Sequence, residues 1–386
     1  MIVGASFAGL HLAREIAHLA HLVDIVLVDP NPTVEYTPGI LATLTTPSRA
    51  RDLVFDLESC IPRACRWIRG RVTAVKQRSS GIGGSVEISR EPRFTHGSDT
   101  VDELLWDWCV LATGSTYPAP MKPPPSQAGA GGKSLAGRML QLSECAAEIA
   151  SAPSVLIIGG GPVGVELAAE IAVAFKLPRA KAVTLLSAAP TLMQGLPESL
   201  GTAAERWLTR HGVNVVLGER VEPAPVSAAA GEGTGASATG RLGLAEPQPA
   251  GVPYPRSRGA LPRSTAAGES RPLLGGSTSH YDVVSPTVLT DAGKRYPAAL
   301  VLTCAGAAPS SAYCAHPASS PALAAARDSR GRIAVDACLR VVGCGPALFA
   351  IGDVAGGAGH GGGAVVTMDE CDLSSPPILQ CSAPRG

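Results

Sequence analysis

Two glycine-rich turns of the same kind occur in this 386-residue chain, each between a short apolar run and a helix-like segment. The first reads GASFAG from Gly4 to Gly9, and the second reads GGGPVG from Gly159 to Gly164. A turn of this kind lets the backbone N–H groups at a helix N-terminus face a pyrophosphate. Two of them predict two dinucleotide-binding βαβ units, and therefore an α/β fold.

The first unit has the acidic residue that a ribose site needs. Its second apolar run ends at Asp29, twenty residues beyond Gly9. A carboxylate at this strand end accepts hydrogen bonds from ribose hydroxyls. Ser6 stands where a glycine usually lets the phosphate approach the backbone, and serine is small enough to be accepted there. Gly4, Ser6, Gly9 and Asp29 are therefore predicted to bind the first dinucleotide.

The second unit has all the glycines of the motif but no acid. Gly159, Gly161 and Gly164 supply the turn, and Ser187 ends the next strand at the place equivalent to Asp29. Serine lacks the carboxylate expected for NAD, and no arginine lies beside it for the 2′-phosphate of NADP. These four residues predict a second dinucleotide site that does not select between NADH and NADPH.

Composition excludes several classes of protein. Lys+Arg and Asp+Glu are equal at 32 each, so a nucleic-acid binder that relies on a basic surface is not expected. Hydrophobic residues make up 45%, which is enough for real cores. No stretch approaches the roughly 20 apolar residues of a transmembrane helix, and no signal-peptide pattern opens the chain. The default prediction is a cytoplasmic protein.

One long segment does not fit a compact domain. Residues 223–280 contain 8 Pro and 10 Gly, with almost no apolar periodicity. Structureless loops of that length are uncommon inside compact domains. The composition predicts a disordered low-complexity insert that a protease would cut rapidly.

Six fragments occur together in an order typical of flavoproteins with two dinucleotide sites: GASFAGLHLA, VEYTPGI, CVLATGSTYP, SVLIIGGGPVGVELAAEI, LVLTCAGAAP and LFAIGDVA. Through them the chain resembles the pyridine nucleotide-disulfide oxidoreductase superfamily. Within it, the chain is most similar to the apoptosis-inducing-factor-homologous, ferroptosis-suppressor-like branch, which is related to type II NADH:quinone dehydrogenases. The resemblance covers residues 1–222 and 281–354.

The resemblance implies FAD at the first site and NADH or NADPH at the second. It also implies hydride transfer to the flavin and electron transfer on to a quinone-type acceptor. Thr113 and Gly114, in the ATG segment, would close the FAD domain. Gly352 and Asp353, in IGDVA, would lie by the ribityl-pyrophosphate part of FAD. From the local sequence alone, Asp353 is alternatively a turn residue that follows Gly352.

Two residues are predicted to lie near the reacting rings. By resemblance, Glu166 would reach the nicotinamide end of NAD(P)H, and Pro38, in EYTPGI, would lie near the isoalloxazine. From its position in the sequence alone, Glu166 is alternatively an acidic residue in the first turn of a helix, where its charge interacts favourably with the helix dipole. Catalysis by this arrangement would rest on orienting two cofactors, without a side-chain nucleophile.

The implied architecture has two Rossmann-like domains, with the NAD(P) domain inserted in the FAD domain and small β-meanders added. The predicted segments are residues 1–116 for the first part of the FAD domain, 117–150 for a linker and helix, 151–308 for the NAD(P) domain, 309–354 for the second part of the FAD domain, and 355–386 for an irregular tail.

Two alternatives to the quinone reductase are kept. Cys60 and Cys65 have the spacing of a redox-active disulfide, which would make the protein a disulfide reductase. Because the tail does not resemble the family's C-terminal domain, the chain is also interpreted as a truncated, non-catalytic remnant. No metal site is expected, since His11, His18 and His21 show only helical-face spacing. Peripheral contact with an organelle membrane is the remaining partner hypothesis.

Overall fold

The computed structural model describes residues 1–90, 100–118, 120–122, 134–176, 181–222 and 287–357. Its helices α1 to α7 are, in chain order, Phe7–Ile16, Ala50–Leu53, Leu57–Cys60, Leu135–Ser151, Pro162–Phe175, Glu198–Arg210 and Pro321–Ala325. Short 3₁₀ helices are Ala17–Leu19, Thr37–Leu44, Pro47–Arg49, Ala312–Ala315 and Gly352–Val354.

The strands, β1 to β20 in chain order, are Ile2–Val3, Ile25–Asp29, Thr33–Glu35, Val54–Asp56, Cys65–Arg69, Arg71–Gln77, Gly84–Arg90, Thr100–Trp106, Cys109–Leu111, Ser115–Thr116, Ser154–Ile158, Ala182–Ser187, Val213–Leu217, Thr287–Leu289, Arg295–Pro297, Leu300–Thr303, Ala308–Pro309, Ile333–Val335, Leu348–Ala350 and Ala355–Gly357.

The first parallel sheet carries the first glycine turn. Its strand order is β19-β9-β1-β2-β5, and Ile2 of the central strand pairs with Leu27 on one side and Val110 on the other. All three of these strands are rich in buried Val, Leu and Ile, as expected when helices or loops cover both faces of a parallel sheet. The order places the turn after β1 at the centre of the sheet's carboxyl edge, where α/β proteins bind ligands.

The second parallel sheet carries the second glycine turn. Its strand order is β13-β12-β11-β16, and Ile158 pairs with Leu186 and Thr303. The strands of this sheet lie, in chain order, between β10 and β17, which pair with each other through Ser115 and Pro309. Two parallel sheets of this kind, together with the antiparallel meander β6-β7-β8, confirm the predicted α/β fold with Rossmann-like sheets.

The 3₁₀ segment Thr37–Leu44 packs against the helices of the second sheet. Its side chains Ile40, Leu41 and Leu44 share one buried cluster with Leu167 and other residues of α5. Burying an aliphatic side chain of this size contributes about 1.5–3 kcal/mol. This packing holds the EYTPGI segment, which follows the first sheet's β2, beside the helix that follows the second glycine turn.

Among the described residues, no helix is long and apolar enough to span a membrane.

The predicted insert, residues 223–280, lies outside the described residues, but the structure describes where the chain leaves and returns. The Glu222 N–H donates to the Leu289 carbonyl at 2.9 Å, and Val221 bridges to Thr290. Nearby, the buried Glu219 accepts hydrogen bonds from Lys294 Nζ at 2.6 Å and Tyr296 OH at 2.8 Å. The two ends are therefore held together by contacts that do not involve the insert.

Deletion of residues 223–280 is expected to leave a soluble protein with the wild-type fold. The remaining loop still connects two adjacent ends, and shortening it lowers the loop-closure cost by about 0.6 kcal/mol per halving. Thermal denaturation of the deletion variant should therefore show an unchanged or slightly raised Tm. Glu219→Ala, with the insert kept, is the matched control that should lower the Tm, because it removes the acceptor from Lys294 and Tyr296. An insoluble deletion variant would contradict the expectation.

Candidate functional site

The first glycine turn is closed by backbone contacts that only glycine permits. Gly4 has a φ of +103°, and a Cβ there would lie 2.3 Å from the Ala112 carbonyl oxygen. A Cβ on Gly9 would lie 1.8 Å from the Gly4 carbonyl oxygen, so α1 packs directly on the turn. Ser6 has a negative φ of −109°, so the turn does not require glycine's left-handed conformation at this position.

The N-terminus of α1 is open to an anion. Ser6 is the N-cap residue, yet its side chain makes no capping hydrogen bond, and the first turn contains no acidic residue. The first N–H groups of a helix have no partner within the helix, and they carry the positive end of its dipole. Such a terminus on a glycine turn fits the pyrophosphate of a dinucleotide.

Backbone hydrogen bonds from the first glycine turn and from Asn31 hold the Asp29 carboxylate in place. Its Oδ2 accepts the Ala5 N–H at 2.8 Å, and its Oδ1 accepts the Asn31 N–H at 2.8 Å. Burial raises the pKa of Asp29, against the opposite effects of these two N–H groups and of Arg71. Each carboxylate oxygen has a further lone pair that can accept a ribose hydroxyl.

A cleft of about 290 Å³, called the first cleft from here on, opens beside this turn. Four predicted residues line it, namely Gly4, Ser6, Asp29 and Thr113. Residues lining it that were not predicted include Glu35, Arg71, Ser115, Lys122, Arg138 and Tyr313.

The other predicted residues of the first site surround the cleft. The Gly114 carbonyl accepts the Ser310 N–H at 2.8 Å, and Thr113 Oγ1 donates to the Ser310 carbonyl at 2.8 Å. Asp353 Oδ2 accepts a 2.7 Å hydrogen bond from Ser115 Oγ. Gly352 has a φ of +69°, and a Cβ there would lie 3.1 Å from Ala8 of α1. The IGDVA segment therefore lies beside the first glycine turn.

The unpredicted Arg138 carried one signal in the sequence. It lies in α4 on the same stripe as the apolar residues Leu142, Cys145 and Ile149, and all four are buried. A charged residue on the apolar stripe of a helix needs a buried partner, because charged side chains are almost never fully buried unpaired. The partner, Glu35, is 103 positions away, and no local pattern identifies it.

The second glycine turn repeats the geometry of the first. Gly159 has a φ of +120°, and a Cβ on Gly164 would lie 1.9 Å from the Gly159 carbonyl oxygen. A Cβ on Gly161 would meet nothing within 4 Å, so its face of the turn is open. Ser187 is only 3% exposed, and a Cβ on Gly160 would lie 2.5 Å from its Oγ. Ser187 therefore lies directly against the turn.

Glu166 is the fifth residue of α5, and the first turn of that helix contains no acidic residue. The alternative of a first-turn acid is therefore wrong. Partial desolvation raises the pKa of Glu166, and the charge of Glu170 adds to the effect. Glu170 in turn accepts a hydrogen bond of 3.4 Å from Thr45, which follows the segment containing Pro38. The structure thus brings the two elements that carry Glu166 and Pro38 together.

The disulfide-reductase alternative depends on two cysteines, of which Cys60 ends α3 and Cys65 begins β5. Cys60 is buried at the end of α3, and the Cys65 thiol lies 3.8 Å from the Ala13 carbonyl. Neither residue is among those that line the first cleft. Within the described ranges, no three His, Cys, Asp or Glu side chains cluster as metal ligands do.

The fold and its two turns define a dinucleotide-binding oxidoreductase architecture. The model of the family described as pyridine nucleotide-disulphide oxidoreductase matches residues 1–237, and the chain belongs to this family. The family is FAD-dependent, and solved neighbours hold NADH or NADPH, so the predicted cofactors are confirmed at the level of the family.

Relatives and solved structures agree with that assignment. The apoptosis-inducing factor homolog B of Dictyostelium discoideum is 23% identical over 225 residues, covering 57% of this chain and 52% of the relative. The water-forming NADH oxidase of Lactobacillus brevis, bound to NADH, has a TM-score of 0.54 at 18% identity, covering 92% of this chain and 62% of the oxidase. NDH2 of Plasmodium falciparum, in complex with NADH, has a TM-score of 0.55 at 13% identity, covering 92% of this chain and 64% of NDH2. The chain spans about half the length of the curated relative.

Proposed function

We propose that this protein is a flavoprotein oxidoreductase that takes hydride from NADH or NADPH and passes electrons to a quinone-type acceptor. The observation that carries the proposal is that α1 and α5 each begin at a glycine turn whose face is open. Asp29 lies beside the first turn, and the segment that contains Pro38 packs against α5. The proposal includes the domain boundaries given above, and a cytoplasmic location with peripheral membrane contact.

The chain's own residues bind and orient the two cofactors. The turn from Gly4 to Gly9 and the open N-terminus of α1 fit the FAD pyrophosphate, and Asp29 fits the adenosine ribose. The turn from Gly159 to Gly164 fits the pyrophosphate of NAD(P)H. Bound FAD would supply the acceptor for hydride and the donor to the quinone. The segment Thr37–Leu44 packs on α5, and we expect this contact to keep the two sites at a fixed separation.

The quinone is proposed because the sequence resembles the branch related to type II NADH:quinone dehydrogenases. Other acceptors occur among the structural neighbours, which include a water-forming NADH oxidase and a complex of putidaredoxin reductase with putidaredoxin. Oxygen and a small partner protein are therefore the competing acceptors to compare.

An absorbance spectrum of the purified protein, before and after anaerobic NADH, tests the proposal. We expect flavin bands that NADH bleaches and that return when a soluble quinone is added without oxygen. The Cys60→Ser/Cys65→Ser variant should behave in the same way, because neither thiol lines the first cleft. A protein without flavin bands would contradict the proposal, and bleaching that needs the two thiols would favour the disulfide reductase.

Cofactor choice should respond to charge at Ser187. Ser187 carries no charge, and its neighbours in sequence include neither an acid nor an arginine. The strand end therefore lacks the elements that discriminate NADH from NADPH, and we expect a wild-type preference below about tenfold in kcat/KM. Ser187→Asp should shift the ratio towards NADH by repelling the 2′-phosphate. An engineered NADPH-bound variant of the Lactobacillus brevis oxidase carries the opposite change, with an aspartate replaced by alanine and two arginines introduced.

Ser187→Asn is the matched control, because asparagine has the size of aspartate without its charge. Ser187 is buried against Gly160, so both variants crowd the turn equally, and only the charged one should change the NADH to NADPH ratio. Steady-state kinetics with both cofactors measures the ratio. If Asp and Asn variants give the same ratio, Ser187 does not face the ribose.

A further inference from the structure

Helix α5 carries two charged residues, and both are acidic. They are Glu166 and Glu170, and residues four positions apart lie one above the other on the same face of a helix. Glu166 is exposed and Glu170 is half-buried. Like charges at this spacing destabilise a helix, and no basic residue of α5 offsets them. The helix therefore keeps a repulsive pair at the second site, directly after the turn from Gly159 to Gly164.

The Glu170 carboxylate contacts a segment outside its own helix. Thr45 follows the segment Thr37–Leu44, whose apolar side chains share a buried cluster with Leu167 of α5. Thr45 Oγ1 lies 3.4 Å from Glu170 Oε2 and 3.2 Å from the Ala42 carbonyl, so its one proton has two acceptors. A glutamine would accept the same hydrogen bond without the repulsion from Glu166. The contact with Thr45 therefore does not account for a charge at position 170.

The charge of Glu170 acts on Glu166. Partial burial raises the pKa of Glu166, and the negative charge of Glu170 raises it further. The segment Thr37–Leu44 and the strands β11 and β12, which pack on α5, contain no titratable side chain. Cys304, whose side chain lies beside Gly164, is a neutral thiol because burial raises its pKa to about 12. Helix α6 also packs on α5, and its charged residues do not contribute to the pKa of Glu166: Glu198, Glu205, Arg206 and Arg210.

Resting on the proposed function, with Glu166 at the nicotinamide end, we propose that Glu170 is a positioning residue that sets the pH at which Glu166 releases its proton. Loss of hydride to the flavin breaks the nicotinamide C4–H bond and leaves the ring with one positive charge. An ionised Glu166 attracts that charge, whereas a neutral Glu166 does not. Oxidation of the nicotinamide therefore favours transfer of the Glu166 proton to water. Because such coupling is reciprocal, NAD⁺ binds more tightly above the pKa of Glu166 than below it.

The test is the dissociation constant of NAD⁺ for the oxidised holoprotein, measured by titration calorimetry across a series of pH values. We expect the affinity to rise with pH through one midpoint. ADP-ribose, which lacks the nicotinamide ring, is the control ligand and should show no such rise. Glu170→Gln removes the neighbouring charge and should lower the midpoint by about 0.5 pH unit, a threefold change in proton affinity. Glu170→Asp keeps the charge and should keep most of the wild-type midpoint.

Glu205→Gln is the matched control, because it removes one negative charge from α6 instead of α5. The midpoint should not move in this variant, and the rise should be lost in Glu166→Gln. An affinity that does not change with pH, a rise that persists in Glu166→Gln, or an unmoved midpoint in Glu170→Gln would overturn this inference alone, since flavin reduction is measured separately. A protein whose flavin neither NADH nor NADPH reduces would overturn the proposed function and this inference with it.

Discussion

Asp29→Ala is expected to purify with little or no flavin. The substitution removes the acceptor for the ribose hydroxyls, and it also removes the acceptor for the Ala5 and Asn31 N–H groups, each of which donates at 2.8 Å. Ala5 belongs to the glycine turn itself, so the turn loses the contact that positions it. The Asn31 N–H is exposed and can turn to water, so its loss adds little. An unpaired group away from water costs about 1–3 kcal/mol, and losing the Ala5 and ribose contacts, near 3 kcal/mol in total, weakens FAD binding roughly a hundredfold.

The measurement is flavin content per chain, followed by titration of the apoprotein with FAD. Asp29→Asn is the matched control, because its amide oxygen still accepts one of the two N–H groups while its NH₂ accepts none. Flavin content should therefore follow the order wild type, Asn variant, Ala variant. Full occupancy in the Ala variant would remove Asp29 from the FAD site and place the adenosine elsewhere.

Alanine substitutions at Gly164 and Gly161, which lie in the same turn, should have different effects. The first should impair folding, and the second should impair cofactor binding. A Cβ on Gly164 would lie 1.9 Å from the Gly159 carbonyl oxygen, a backbone atom that cannot move aside as the end of a flexible side chain can. Overpacking in a core costs about 1–3 kcal/mol and more where relaxation is blocked. Gly164→Ala should therefore be insoluble or strongly destabilised.

Gly161→Ala should fold normally and bind NAD(P)H poorly. The added methyl group meets no protein atom within 4 Å, and the φ of −75° suits alanine. It would stand where the pyrophosphate must approach the backbone, so we expect KM for the nicotinamide cofactor to rise about tenfold or more, or ~1.4 kcal/mol, with flavin content unchanged. Tm and KM, measured together on both variants, separate folding from binding. A normal KM in Gly161→Ala would show that the cofactor does not approach this face of the turn.

Local sequence predicted the parts of the site that lie within one βαβ unit. Gly4, Gly9 and Asp29 are spaced by a strand, a tight turn and a helix, and each of these elements is specified by neighbouring residues. The same holds for the turn from Gly159 to Gly164. The fold class followed because two such units, each buried on both faces, require parallel sheets.

The contacts between segments were not predictable in the same way. The Ser115 hydroxyl meets Asp353 across 238 positions, and Glu35 meets Arg138 across 103. Neither pair has a characteristic spacing: α4 and the second sheet lie between Ser115 and Asp353, whereas the meander β6-β7-β8 lies between Glu35 and Arg138. Whether Glu166 lies in the first turn of α5, as its alternative interpretation required, depended on where that helix begins, and helix starts are poorly defined by a sequence pattern.

The sequence by itself determined two dinucleotide folds, their glycine turns and the acid of the first, because these depend on local backbone geometry that few residue types allow. Only the tertiary structure decided what lines the first cleft between those motifs. Arg138 is buried there because α4 packs its apolar stripe on the Thr37–Leu44 segment, which brings the guanidinium against Glu35 and the carbonyls of Pro120 and Met121. Such an arrangement arises from packing between distant segments, and local residue patterns do not encode it.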